Sequence, residues 1–580
     1  MRWYCSADSQ GVRRVVSVLA LMLLITAACA GPAQQGDSGA RSVALSQPTV
    51  LRTVTRIEPE NLTSKFVETG GRAETAKQLL NSRLTYIDNR LEVQGILAEA
   101  VPQLNTDSWK VFPDGGMETS YRLRPGLTWH DGQPLTAEDF VFAWRIYLSN
   151  LPFGSRPQDK MESVTAPDPR TLTIRWSSPE VTAGRLESEF EPIPAHLLLE
   201  SFQAFSAGSM SPEAFLGNPF WTQAYVGAGA WRLARWELGS FIEGAAFDGF
   251  ALGRPKIDRF IVRVMGDENT ILANLLSGEI DYTQTLVLRF EHGEVLAREW
   301  VPSGKGKYEI GTQYFVMNIY QLRAEFQQEP VFFDVRARRA MVHAIDRQAL
   351  AEGLFQDAVP ATDSWMYRHT PYFAEGERAI TKYPYDVRRA QQLLEEVGLR
   401  RGPDGFFVNP DGRRFEPDFQ VRAGSQQERG QAIQVDMWKQ VGVHVTPSVL
   451  PNIAVPATER HNVPGFVLRT SNIENWWRDF LTSEIGSPTN RWRGENRTGW
   501  SSPEFDRWFD VYDRTLDPSE RDRLTVQMLR VVHDDVPGYV VYDAPALIGY
   551  VSNLRGPSFP VKGEPSESQF GRLHEWVFVR

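Results

Sequence analysis

The chain has 580 residues, 42% hydrophobic and 23% charged, enough apolar material for two or three domains with buried cores and too much for a disordered chain. Its formal net charge of -10 argues against a general nucleic-acid binder, because phosphate recognition needs a basic surface. With two cysteines in all, Cys5 and Cys29, no cysteine-based zinc site can form once an N-terminal leader carrying Cys5 is removed.

The first element is such a leader. Arg13 and Arg14 precede VVSVLALMLLITAAC, an apolar run of roughly 15 residues, short for a membrane span and right for the core of a signal peptide. The run ends in Thr26-Ala27-Ala28-Cys29, which resembles a bacterial lipobox, with Thr26 where that pattern prefers leucine. Ordinary cleavage after the small residues Ala28-Cys29-Ala30 is the competing reading. The expectation is a lipoprotein signal peptide over 1–29, lipidated at Cys29, and a flexible tether over 30–44, whose AGPAQQGDSGARS is small and polar.

Downstream, SVALSQPTVLRTVTRIEPENLTS reads as an extended segment running into a Pro/Asn-rich loop. His130-Asp131-Gly132 then raises a choice between a catalytic pair and a turn. The Asp-Gly dipeptide follows the extended run YRLRPGLTW and precedes a helix capped by Thr136 with Asp139 three residues on, so strand, turn and helix account for every residue. Phe140, Ala143, Trp144 and Tyr147 form the buried face of that helix. Thr171–Trp176 (TLTIRW) and Phe260–Met265 (FIVRVM) alternate as strands do. Between them Gly227-Ala228-Gly229 is a lone GxG without the rest of a dinucleotide loop.

Further on, Asp334 caps a helix through Ala344, with Arg336, Arg338 and Arg339 on its solvated face, and Asp346 caps the next. Ser502 with Pro503 opens a helix bearing Phe505, Trp508, Phe509 and Tyr512. No phosphate loop, H-E-x-x-H or G-x-S-x-G occurs, and no two of the nine histidines stand at ligand spacing; His196 reads as a helix-start residue. The expectation is a mixed α/β protein with no catalytic residue, no metal and no cofactor.

LTWHDGQPLTAEDFVFAWR (127–145) resembles the signature of the family 5 extracellular solute-binding proteins, which serve ABC importers. VGAGAWRLARWELGS (226–240), GRPKIDRFIVRVMGDENTILANLLSGEIDY (253–282), YFVMN (314–318), FFDVRARRAMVHAIDRQAL (332–350), KYPYDVRRAQQLLEEVGL (382–399) and GWSSPEFDRWFD (499–510) follow in the family's order. The resemblance implies a two-lobed, hinge-closing α/β fold of the periplasmic-binding-protein type II class with an inserted subdomain. Residues 45–85, 225–311 and 541–580 would form lobe 1, 86–224 its insertion and 312–540 lobe 2. Crossing strands are expected around Tyr314–Asn318 and Tyr539–Asp543.

It also implies a peptide held between the lobes, its amino terminus paired with a carboxylate in a tryptophan-rich segment. Here that segment is LRTSNIENWWRDFL (468–481), which departs from the family's wording. Glu474 is the expected amine partner, with Asp479 as fallback, Trp476 or Trp477 against a ligand side chain or ring, and Asn475 and Asn318 completing the ligand-binding set. The implied partners are the permease subunits of an ABC importer and, through the lipid, the membrane; the protein is expected to be monomeric. Because relatives bind other solutes and the chain has 17 tryptophans, an oligosaccharide is the alternative ligand. A secreted hydrolase using paired carboxylates is the alternative of another class.

Overall fold

Two long strands organise the computed structural model, which describes residues 47–66, 74–88, 92–153, 156–186, 190–285, 287–356, 358–368, 370–451, 458–490, 492, 494–559, 570 and 572–579. The expected signal peptide, Cys29 and most of the tether lie outside these. The outgoing strand, Gly306–Tyr320, pairs antiparallel with the returning strand, Gly538–Val551, from Gly306↔Val551 to Ile319↔Gly538. Both are rich in the β-branched and aromatic residues that suit a pleated surface. They lie at the centre of a six-stranded sheet completed by Tyr282–Thr283 on one side and by Phe466–Asn472, Asp418–Arg422 and Thr446–Leu450 on the other.

Side-chain alternation along the outgoing strand explains why the second lobe has two cores. Phe315, Met317 and Ile319 face one way, into a cluster with Trp365, Trp476, Phe480 and Phe505. Val316 and Tyr320 face the other way, towards Phe419, Trp438 and Phe466. The returning strand runs on into the first lobe, where Leu547 packs with Val54 and Leu275, and Ile548 and Tyr550 join a large core that contains Leu51 and Trp576. It is buried at every position but the last, and apart from Asp543 it carries no charge.

The local signals hold. Strands form at Val50–Thr55, Thr171–Trp176 and Arg259–Val264. Asp334, Asp346 and Ser502 each accept a bond from a first-turn N–H of their helix. At the helix Ala137–Tyr147, the Asp139 carboxylate takes the Thr136 N–H at 2.9 Å, and also the Ala195 N–H at 3.1 Å and the Trp129 indole at 3.3 Å. One carboxylate thus ties the turn, its helix and the start of the next helix, where His196 stands as expected.

The His130-Asp131-Gly132 stretch is a turn, with Gly132 at φ +86° and Asp131 accepting the Gln133 N–H. His130 is buried, and it is a clamp. Its Nδ1 accepts the Gly227 N–H at 3.1 Å, which leaves Nε2 to donate to the Gly229 carbonyl at 3.0 Å. The two glycines are needed for close approach: a Cβ at Gly227 would stand 2.2 Å from the Leu80 carbonyl oxygen, and one at Gly229 2.4 Å from the Leu80 carbonyl carbon. That packing is the use of the lone GxG.

One expectation fails. Arg336 is exposed and paired with Asp334, but Arg338 is buried, its guanidinium donating to the carbonyls of Phe332 (2.6 Å), Asp535 (2.6 Å) and Val536 (3.0 Å). It closes the C-terminal end of the helix Pro518–Asp535, where helix carbonyls lack partners. A run of three arginines reads as a solvated face only when no orphan carbonyls converge on it.

Burial pushes His130, His461 and His533 down from 6.5 to about 4. The unfolded chain then takes up protons that the native one refuses, so stability is full above pH 6.5, declines as pH falls towards about 4, and levels below. Each site contributes up to about 3 kcal/mol of this loss. Calorimetric unfolding between pH 7 and 4 should show the decline, and His130→Asn should reduce it by about a third, the share of one of the three sites.

Candidate functional site

The segment 468–481 leaves the sheet at its neck end, level with Tyr314. Phe466–Asn472 pairs with the outgoing strand from Tyr314↔Asn472 to Tyr320↔Phe466, and a 3₁₀ turn, Ile473–Asp479, follows. The two tryptophans diverge in that turn. Trp476 is 2% exposed and stacks on Trp365 at 5.9 Å, so it belongs to the core. Trp477 is half-buried, with Phe509 4.5 Å away on its own lobe and the Arg156 guanidinium 5.9 Å from its ring.

Arg156 belongs to the segment expected as the inserted subdomain, so Trp477 sits where two parts of the chain far apart in sequence meet. The same contact line holds Arg156 Nη2 to Glu484 at 3.9 Å and Lys160 Nζ to Asp513 at 2.8 Å. Lys160 is oriented by a second 2.8 Å pair with Glu180. Both partners of the Lys160–Asp513 bridge are less than one-third exposed, so the bridge is less screened than an ordinary surface pair.

The side chains of Glu474 and Asn475 lie outside the described residues. Asp479 is 3% exposed and fully engaged: Oδ1 pairs with Arg469 Nη1 at 2.8 Å and Oδ2 accepts the Ser471 hydroxyl at 2.5 Å. Burial raises its carboxyl, with Arg469 opposing the shift. Arg469 reaches Glu495 at 3.5 Å, and Arg497 stands 4.0 Å from the same carboxylate. Burial, then repulsion from Arg469, brings Arg497 down to about 9. Asn318 is wholly buried on the opposite face of the sheet, donating to Gln434 at 2.7 Å and to the Tyr539 hydroxyl at 2.9 Å.

The structure therefore gathers Trp476, Trp477 and Asp479 in one turn and separates Asn318 from them by the thickness of the sheet. Reasoning from sequence missed Arg469 and Asp543; for Asp543, the one charge in its strand, that contrast was the available signal. The tryptophan count has a structural use, since Trp129, Trp176, Trp221, Trp231, Trp365, Trp438, Trp476 and Trp576 are all among the largest fully buried side chains. Among the described residues no group of three or more His, Cys, Asp or Glu is arranged to hold a metal ion.

Residues 99–491 match the family model described as bacterial extracellular solute-binding proteins, family 5, middle region. The chain belongs to this family. The oligopeptide-binding protein AppA of Bacillus subtilis is 22% identical over an alignment that covers 94% of this chain and 96% of that protein. In fold, the oligopeptide-binding protein of Thermus thermophilus, solved with a pentapeptide, superposes with a TM-score of 0.78 at 20% identity, covering 92% of this chain and 96% of that one. NikZ of Campylobacter jejuni, solved with Ni(L-His), gives 0.73 at 18% identity over 91% and 99%. The two-lobed architecture and an exported solute-binding role follow from the family.

Replacing Trp476 removes a core stack, so Trp476→Ala should lower stability by about 3–5 kcal/mol, read as a shifted urea midpoint. Trp477→Ala should cost clearly less, because part of that ring already meets solvent.

Proposed function

We propose that this protein captures peptides between its two lobes and presents them to the membrane subunits of an ABC importer. The observation that carries the reading is the neck. Two separately packed sets of cores are joined through the paired outgoing and returning strands, whose register shifts between Thr312 and Tyr314 and between Val316 and Met317. Irregularities of that kind let a pair of strands bend and twist without losing the ladder, which suits a hinge. The bridges Lys160–Asp513 and Arg156–Glu484 would then hold the closed state.

In this reading residues 45–85, 225–311 and 541–580 form the first lobe, with 86–224 inserted, and 312–540 the second. The separate cores support the split between the lobes; the insertion shares one core with the first lobe, and Phe290 packs with the second. Glu474 receives the peptide's amino terminus, since a desolvated ammonium needs an opposite charge, with Asn475 and Trp477 beside it. Asp479, Trp476 and Asn318 act behind them, holding the turn and the sheet. An oligosaccharide ligand loses much of its support, because so many tryptophans serve the cores. The leader, lipid attachment at Cys29 and a monomeric state complete the proposal.

Native mass spectrometry of the purified protein with a peptide pool should show one-to-one complexes, and saturating peptide should raise the melting temperature, about 2.7 kcal/mol of stabilisation at a hundred times Kd. Steady product release from peptides or glycans would instead make it a hydrolase. Glu474→Gln should weaken peptide binding by at least tenfold in calorimetry; unchanged affinity would reject that residue. For the anchor, Cys29→Ala should move the exported protein from the detergent phase to the aqueous phase on partitioning.

A further inference from the structure

Asp543 is the one charged residue in GYVVYDAPALIGYV, the returning strand. It stands opposite Phe315 at the level where the neck narrows. From Tyr314 onward the outgoing strand has neighbours on both sides, whereas from Gly306 to Thr312 the returning strand is its only strand partner among the described residues. The outgoing strand is buried beyond Phe315 and half-open or exposed from Lys307 to Thr312. Asp543 therefore lies just inside the second lobe, at the edge of the opening between the lobes.

Its surroundings are apolar and aromatic. Tyr367 stacks on Phe315 with ring centroids 4.6 Å apart, and it is near enough for the Asp543 carboxylate to raise its hydroxyl further after burial has done so. The carboxylate is 8% exposed, and Oδ1 is buried with no hydrogen-bond partner. No described residue forms an ion pair with it. The cation whose field reaches it, Arg368, is exposed and lies over the Phe373 ring at 5.9 Å.

A structural carboxylate in such a place is normally bonded on both oxygens, as Asp139 and Asp479 are here. Burying one without a partner costs several kcal/mol, and a neutral isostere would serve the fold better. That cost is visible in the carboxyl itself, which burial pushes up to about 7. We propose that Asp543 is the receptor for a cationic group of the captured solute, the ammonium of a lysine or the guanidinium of an arginine side chain, so that the site selects basic peptides. This rests on the peptide reading above and deepens it: Glu474 holds the amino terminus and Asp543 a side chain.

The experiment compares the wild-type protein, Asp543→Asn and Arg368→Gln, each incubated with a random pentapeptide pool and read by native mass spectrometry. The wild type should bind peptides enriched at least tenfold in lysine or arginine. Asp543→Asn should still bind peptides but without the enrichment, and should melt no lower than wild type when unliganded, since it loses an unpartnered buried charge. Arg368→Gln should keep the enrichment. Identical bound populations in wild type and Asp543→Asn would overturn the proposal, as would a destabilised unliganded Asp543→Asn matched by Arg368→Gln, which would make the carboxylate half of an internal pair. If the wild type binds no peptide at all, the peptide reading fails by itself. The amines agmatine and spermidine then decide Asp543 by thermal shift: stabilisation of wild type alone supports it, and an equal or absent response in both overturns it.

Discussion

The pairing of the outgoing strand with the returning strand is the constraint on which the rest depends. Each strand belongs to both lobes, so each must satisfy two environments along a single ladder. The sequence meets this by grading the strands: GKYEIGT is mixed and half-open where one neighbour suffices, and FVMNIY is apolar where the sheet is covered on both faces. Once those two strands are in register, every neighbouring strand and the two cores of the second lobe have their faces assigned by side-chain alternation alone.

Charge inside this molecule is handled in three ways. Arg338 is spent on carbonyls that the helix Pro518–Asp535 cannot satisfy internally. Arg469 and Asp479 cancel each other, with Ser471 taking the remaining oxygen. His130 avoids charge, using one ring nitrogen as acceptor and the other as donor so that the neutral form is the bonded one. Asp543 fits none of these, and the contrast gives it meaning: a chain that settles its buried charges elsewhere leaves this one open beside the neck.

Much of the fold could be read from sequence because its signals are local. Capping by Asp334, Asp346 and Ser502, the Asp131-Gly132 turn and the alternation of TLTIRW each depend on a handful of adjacent residues. Family wording supplied the long-range order that no local rule can give. What stayed hidden depends on contacts between distant segments: Arg338 meets carbonyls nearly two hundred positions away (197 for Asp535), and Trp477 meets Arg156 from a different part of the chain. The divergence of Trp476 and Trp477 was expected, but which ring turned inward was decided by Trp365.

The neck also decides how the chain carries load. Leu51 and Trp576 pack in the same core, while the residues from Phe315 to Ala544 pack mostly with one another, as an insertion between the two strands. Tension applied across Val50 and Phe578 would pass through the first lobe alone. The second lobe is a closed loop, free of axial force until the ladder between the two strands parts, and it is mechanically a passenger on the lobe that holds Val50 and Phe578.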